Sequence, residues 1–122
     1  MTLQELYQNI DGNYDQAIRV LRMEKLMDKH IRKLTKNGVV DKLIEAGKEK
    51  DPVQLFECAH AVKGVCSNLG LTRLADAASE IAEEYRAGNS RKLSDEEINE
   101  KLQEIESVYK KTVEAIHQYE NG

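Results

Sequence analysis

The chain has 122 residues, of which 33% are charged and 5% aromatic, with a net charge of −4. The negative charge disfavours general binding to nucleic acid, and no apolar run approaches the ~20 residues that span a bilayer. We therefore expect one domain over residues 1–122, an all-α bundle with neither a nucleic acid nor a membrane as partner.

The sequence begins with the pattern of a short helix. Thr2 and Glu5 form a capping box, in which each side chain satisfies a backbone N–H of the first turn. Asp11-Gly12 is a turn signal that ends this helix. We expect the short helix to pack over Ile18 and Leu21 of the next helix and so to close one end of the bundle.

A long second helix is predicted from about Tyr14 to Leu34, with Asn13 as its N-cap. Asn37-Gly38 interrupts the helical pattern. The residues from Val39 to about Lys48 then form either a separate helix or a kinked continuation. The main apolar stripe of the second helix comprises Ala17, Val20, Met23, Met27, Ile31 and Leu34.

Two further helices are predicted in the middle of the chain. Asp51-Pro52 indicates a helix start, because aspartate suits the N-cap and proline suits the first helical position. This helix runs to Leu69, and Gly70 fits the C′ position. Thr72 is the predicted cap of the next helix, which ends at Gly88-Asn89-Ser90.

The last helix carries the longest apolar seam. Ser94 and Glu97 form a second capping box, after which apolar residues recur at spacings of four and three. Four long helices with short connections predict an antiparallel up-down four-helix bundle with a short N-terminal capping helix. The seam comprises Ile98, Leu102, Ile105, Tyr109, Thr112, Ile116 and Tyr119.

The helix from Pro52 to Leu69 has an unusual outward face. A glycine inside a helix costs about 1 kcal/mol relative to alanine, and no internal packing demands one on an outward face. Gly64 therefore indicates that something approaches closely from outside. The outward stripe, at positions i, i+3, i+4 and i+7, comprises His60, Lys63, Gly64 and Ser67.

The residue types on this stripe suit the transfer of an anionic group. An imidazole is a nucleophile that is largely neutral near pH 7, and a lysine one turn away can hold an incoming anion. The pattern predicts that His60 accepts a charged group, that Lys63 stabilises it and that Gly64 leaves room for the donor.

At these residues the sequence resembles the family of histidine-containing phosphotransfer (HPt) domains. The resemblance rests on His60-x-x-Lys63-Gly64 and Leu69-Gly70, and it extends over most of the chain. It implies a four-helix bundle in which His60 accepts a phosphoryl group from a receiver-domain aspartate and passes it to another receiver aspartate.

The resemblance also implies the partners. These are response-regulator receiver domains, with a hybrid histidine kinase as one candidate source of a receiver. No cofactor is expected on this chain, because it shows no carboxylate cluster suited to Mg²⁺. The ion is expected on the partner receiver domain instead.

Three neighbours of the stripe are candidate partner-binding residues. Phe56 lies one turn before His60 and belongs either to the core or, if partly exposed, to an apolar docking patch. Ser67 and Asn68 follow on or near the same side, where they could contact a partner. Asn68 is equally suited to bonding the free carbonyls at the helix end.

Other interpretations share some of these residues. The phosphoacceptor domain of a chemotaxis-type kinase would use the same histidine, whereas a plain helical interaction module would not use it. No glycine-rich phosphate loop follows a strand, so no autonomous kinase activity is expected. Glu57-x-x-His60 and Glu114-x-x-His117 match the spacing of di-iron bundles, but they fall off the core sides of their helices.

The two cysteines also bear on the location of the protein. Cys58 and Cys66 lie on one helix, ~12 Å apart along its axis, which is too far for a disulfide. Two reduced thiols favour a cytoplasmic location. The self-contained apolar seam favours a monomer.

Overall fold

The computed structural model describes all 122 residues, Met1–Gly122, as seven α-helices without a strand. The all-helical prediction is confirmed. None of the helices combines the length and the apolar character that crossing a bilayer requires. In chain order they are α1 (Leu3–Asn9), α2 (Tyr14–Leu21), α3 (Glu24–Leu34), α4 (Val39–Glu49), α5 (Pro52–Asn68), α6 (Thr72–Tyr85) and α7 (Asp95–Asn121).

Four of the helices form a closed ring of contacts. Helix α4 packs on α5, α5 on α6, α6 on α7, and α7 returns to α4. Helix α2 lies against α5, and both α1 and α3 lie against α7. A single cluster of buried apolar side chains fills the space between them. The antiparallel up-down order of the four helices stays a prediction.

The prediction of a single helix from Tyr14 to Leu34 is wrong, because the chain forms two helices, α2 and α3, in its place. Arg22 ends α2 in the left-handed conformation, with φ 75°, and Met23 follows as an extended residue. This break lets α2 pack on α5 while α3 packs on α7. Val20 and Met23, which were expected in the apolar stripe, are therefore 48% and 50% exposed.

The short helix α1 also takes a different place from the predicted one. It packs mainly against α7, and Ile18 and Leu21 stay half-buried. Its connection to the end of α5 runs through the buried Tyr7, whose hydroxyl donates a 2.7 Å hydrogen bond to the Leu69 carbonyl. Helix α1 thus supports the C-terminal end of α5.

Most predicted helix starts are confirmed. Thr2 and Ser94 each form a complete capping box, and the Asp51 side chain accepts two backbone N–H groups of α5. Thr72 is the exception, because it is the first residue of α6. Leu71 occupies the N-cap without a side-chain hydrogen bond, and its side chain is buried instead.

The turn after α5 fixes where that helix ends. Gly70 has φ +69°, and the Leu71 N–H donates to the Cys66 carbonyl at 2.9 Å while the Gly70 N–H donates to the Ser67 carbonyl at 3.1 Å. These bonds make a Schellman motif with glycine at C′, as predicted. A Cβ at Gly70 would overlap the carbonyl oxygen of Asn13. The turn therefore needs glycine for its conformation and for the space.

Gly70→Ala should destabilise the protein by more than the roughly 1–2 kcal/mol that the left-handed conformation costs, because the new Cβ meets the Asn13 carbonyl. Gly38→Ala is the matched control, since Gly38 has the same φ of +69° and open space around its Cβ position. Urea denaturation measures the free energy of unfolding of both variants. Equal losses would contradict a steric role for Asn13.

Candidate functional site

The packing of α5 decides which of its side chains reach solvent. One side of the helix is buried between its neighbours, and His60 lies on the opposite, exposed side. This placement agrees with the direction predicted from the helical period. The buried residues of α5 are Leu55, Ala59, Val62 and Cys66.

The imidazole of His60 stacks on an aromatic ring of the same helix. The ring centroids of Phe56 and His60 are 5.7 Å apart, and the ring planes are inclined by 16°. Phe56 is half-buried, so it contributes to the core and also shows part of its ring beside the histidine. Val53, which sequence reasoning missed, lies two turns before His60 on the same side and is 62% exposed.

Lys63 is half-buried one turn after His60 and lies on the side that faces α6. There the Glu83 carboxylate accepts hydrogen bonds from the Arg86 guanidinium, the shorter at 2.9 Å. These bonds and the charge of Arg86 hold the pKa of Glu83 below its usual range, and the Lys63 charge lowers it further. Glu83 therefore has Arg86 as its bonded partner, and Lys63 is near enough for its charge to act on the same carboxylate.

Gly64 lies on the exposed side of α5, next to His60. A Cβ built on Gly64 would find no atom within 4 Å. The chain itself therefore has room for a side chain at this position, and no internal contact explains the glycine. The bare helix surface leaves an approach to the imidazole open from outside.

The other two candidate residues lie toward the end of α5. Ser67 is half-buried, and its carbonyl accepts a 2.9 Å hydrogen bond from the Gln16 amide of α2. Asn68 is exposed and lines a surface cavity of about 300 Å³ together with Leu21 and Lys33. Ser67 thus helps to hold α2 against α5, whereas the Asn68 side chain reaches solvent.

The Glu-x-x-His pairs do not meet in the centre of the bundle. Glu57 and His60 are exposed on α5, and Glu114 and His117 are exposed on α7. No group of three His, Cys, Asp or Glu side chains is placed to hold a metal ion. The geometry that a di-metal centre needs is therefore missing.

Sequence reasoning also missed Arg86, the residue that caps α6. Its guanidinium carbon lies 5.6 Å from the centroid of the Phe56 ring, and the same ring stacks on His60. No local motif marks Arg86, because this contact depends on how α6 packs against α5. Arg86 reaches the candidate site only because α6 packs against α5 in the folded chain.

A helical bundle that exposes a histidine, with a lysine one turn on and an unobstructed glycine beside it, has the features of a phosphotransfer module. The sequence model of the Hpt domain matches residues 2–118, and the chain belongs to the Hpt domain family. Comparison with curated proteins and with solved structures gave no match. Hpt domains carry out phosphotransfer in two-component signalling and interact with response-regulator receiver domains.

Gly64→Ala should stabilise the protein by about 1 kcal/mol, because alanine is the better helix former and its methyl group meets open space. Gly47→Ala in α4 provides the contrast, since a Cβ there would press on the Leu102 side chain. The Gly47→Ala variant should therefore gain less stability than Gly64→Ala. Urea denaturation measures the free energy of unfolding of both variants. A loss of stability in Gly64→Ala would show that the fold itself requires the glycine.

Proposed function

We propose that this chain is a single HPt domain that acts as a phosphocarrier in a phosphorelay. His60 accepts a phosphoryl group from the aspartyl phosphate of one receiver domain and passes it to the aspartate of another. The observation that carries this proposal is an exposed imidazole, supported by the Phe56 ring, beside the open surface at Gly64.

The transfer is a displacement at phosphorus. The electron pair of a His60 ring nitrogen, by family analogy Nε2, attacks the phosphorus in line with the aspartyl oxygen. The N–P bond forms as the P–O bond breaks, and the aspartate leaves as a carboxylate. The same steps in reverse load the second receiver. Lys63, one turn away, stabilises the phosphoryl oxygens.

The receiver completes the reaction centre. It supplies Mg²⁺, which neutralises the charge that develops on the transferred group. This chain binds no cofactor and contributes position, because a rigid helix presents one nucleophile in a fixed direction. A kinase activity of its own is not part of the proposal.

The docking surface surrounds His60 on the exposed side of α5. Val53 and Phe56 supply apolar area, Gly64 leaves room for the receiver, and Ser67 and Asn68 lie toward the end of the helix. A small surface of this kind suits a transient complex. The donor receiver is free-standing or part of a hybrid histidine kinase.

The wider architecture follows the same proposal. Helices α4 to α7 form the antiparallel up-down bundle, and α1 to α3 pack against it and share its apolar core. The protein works as a monomer. Cys58 and Cys66 are both free thiols, which supports a location in the reducing cytoplasm.

His60→Gln should abolish phosphoryl acceptance and leave the fold intact, because the side chain is exposed and its loss opens no cavity. The measurement is incubation with a panel of phosphorylated receiver domains, followed by an assay for acid-labile, base-stable phosphate. His117→Gln is the control, since it removes another exposed histidine, which lies on α7.

Transfer to the wild type and to His117→Gln, but not to His60→Gln, is the expected result. Unfolding of His60→Gln would contradict an exposed and purely functional histidine. If a folded wild type took up no phosphoryl group from any receiver, the phosphorelay proposal would fall and a helical interaction module would become the better interpretation.

Gly64→Leu should slow transfer from a receiver by roughly tenfold or more, because the added side chain displaces the docked donor. The chain itself accommodates the leucine, since no atom lies near the Cβ position. Gln103→Leu is the control, as it adds an exposed leucine to α7 instead.

A second donor separates docking from chemistry. Phosphoramidate is too small to need a docking surface, so it should phosphorylate His60 in Gly64→Leu about as fast as in the wild type. If the receiver transferred its phosphoryl group to Gly64→Leu at the normal rate, the proposal that Gly64 leaves room for the docked receiver would be ruled out.

A further inference from the structure

We propose that Arg86 is a second phosphoryl-binding residue, which Glu83 holds in place until the phosphoryl group arrives on His60. The inference rests on the proposed function and adds to it a residue and an exchange of ion-pair partners. The three groups that carry it belong to two helices: His60 and Phe56 on α5, and Arg86 at the end of α6.

The Phe56 ring connects the guanidinium to the imidazole. The Arg86 guanidinium carbon is 5.6 Å from the centroid of that ring, and the His60 ring stacks on it at 5.7 Å. A cation is attracted to an aromatic face at such distances. Arg86 is thereby kept next to the ring that supports the nucleophile.

Glu83 binds the same guanidinium through an ion pair. Its Oε1 accepts hydrogen bonds from Nε and Nη2 of Arg86 at 3.2 and 2.9 Å, and its backbone carbonyl accepts one from the Asn89 amide at 3.0 Å. The side chains of the ion pair are 43% and 52% exposed. An exposed pair of this kind adds little to stability, so giving up part of it for the phosphoryl oxygens costs the fold little.

A phosphoryl group on His60 would change the charges that surround Arg86. Before transfer, Arg86 is paired with Glu83, and the charge of Lys63 acts on the same carboxylate. A phosphoryl group on His60 adds about two negative charges and three acceptor oxygens. Arg86 can present two parallel N–H donors to such a group. The guanidinium therefore exchanges part of its bonding from Glu83 to the phosphoryl oxygens.

Arg91 provides a matched control. Its guanidinium lies 4.8 Å from the Tyr85 ring centroid and 3.1 Å from an Asp95 oxygen, with a side chain 41% exposed. It thus has an aromatic contact, an acidic partner and an exposure like those of Arg86. It differs in that it also lies 3.8 Å from the buried carboxylate of Glu84, and in that its aromatic partner does not stack on His60.

The experiment measures how the phosphoryl group distributes between a receiver and this chain at equilibrium. Arg86→Ala should lower the phosphorylated share of the chain, relative to the receiver, on the order of fivefold. Arg91→Ala should leave it unchanged. Arg86→Lys should lose less of the phosphorylated share than Arg86→Ala, because lysine keeps the positive charge but lacks the two parallel N–H donors of the guanidinium. Glu83→Gln should shift the equilibrium toward phosphohistidine, because it removes the competing carboxylate.

A spectroscopic readout tests the contact directly. In ¹⁵N NMR spectra of the wild type, the Nε–Hε resonance of Arg86 should move on phosphorylation while that of Arg91 stays in place. An unmoved Arg86 resonance, or equal losses in Arg86→Ala and Arg91→Ala, would overturn the inference alone. A wild type that accepts no phosphoryl group would overturn the proposed function and this inference with it.

Discussion

The packing of α5 against α6 is the contact on which the functional face depends. The buried side of α5 fixes the rotation of the helix, and one residue of rotation, about 100°, would carry His60 toward the core. Small side chains on α6 allow the two helices to approach closely. The same contact brings the end of α6, with Glu83 and Arg86, beside Phe56. The buried small residues of α6 are Ala75, Ala77, Ala78 and Ala82.

The direction of His60 could be predicted because it is a local property. A helix with apolar residues at Leu55, Ala59 and Val62 must turn that side inward, and a residue on the opposite side then faces solvent. The ends of α5 are local too: Asp51-Pro52 and Gly70 determine their conformation through their own side chains or the lack of one. For this helix the sequence contains all the information that the prediction needs.

The break between α2 and α3 could not be predicted in the same way. Arg22 takes the left-handed conformation without being glycine, at a cost of roughly 1–2 kcal/mol, and the packing of α2 and α3 on different helices has to offset it. Leu71 displaces Thr72 from the N-cap of α6 for a similar reason, since its side chain is buried. In both places tertiary burial outweighs a local preference. The contact of Arg86 with Phe56 is likewise invisible until α5 and α6 are packed.

The proposed reaction needs contributions from two proteins. His60 stands on an open helix face, so in the proposed reaction the docked receiver has to exclude water. The chain's net charge of −4 would repel an acidic receiver site, but mobile ions screen such charges beyond about 8 Å at physiological salt. At contact distance the charges nearest the phosphoryl group dominate. In the proposed reaction, Lys63 and Arg86 would therefore matter more than the overall charge, because they would place positive charge where the two proteins meet.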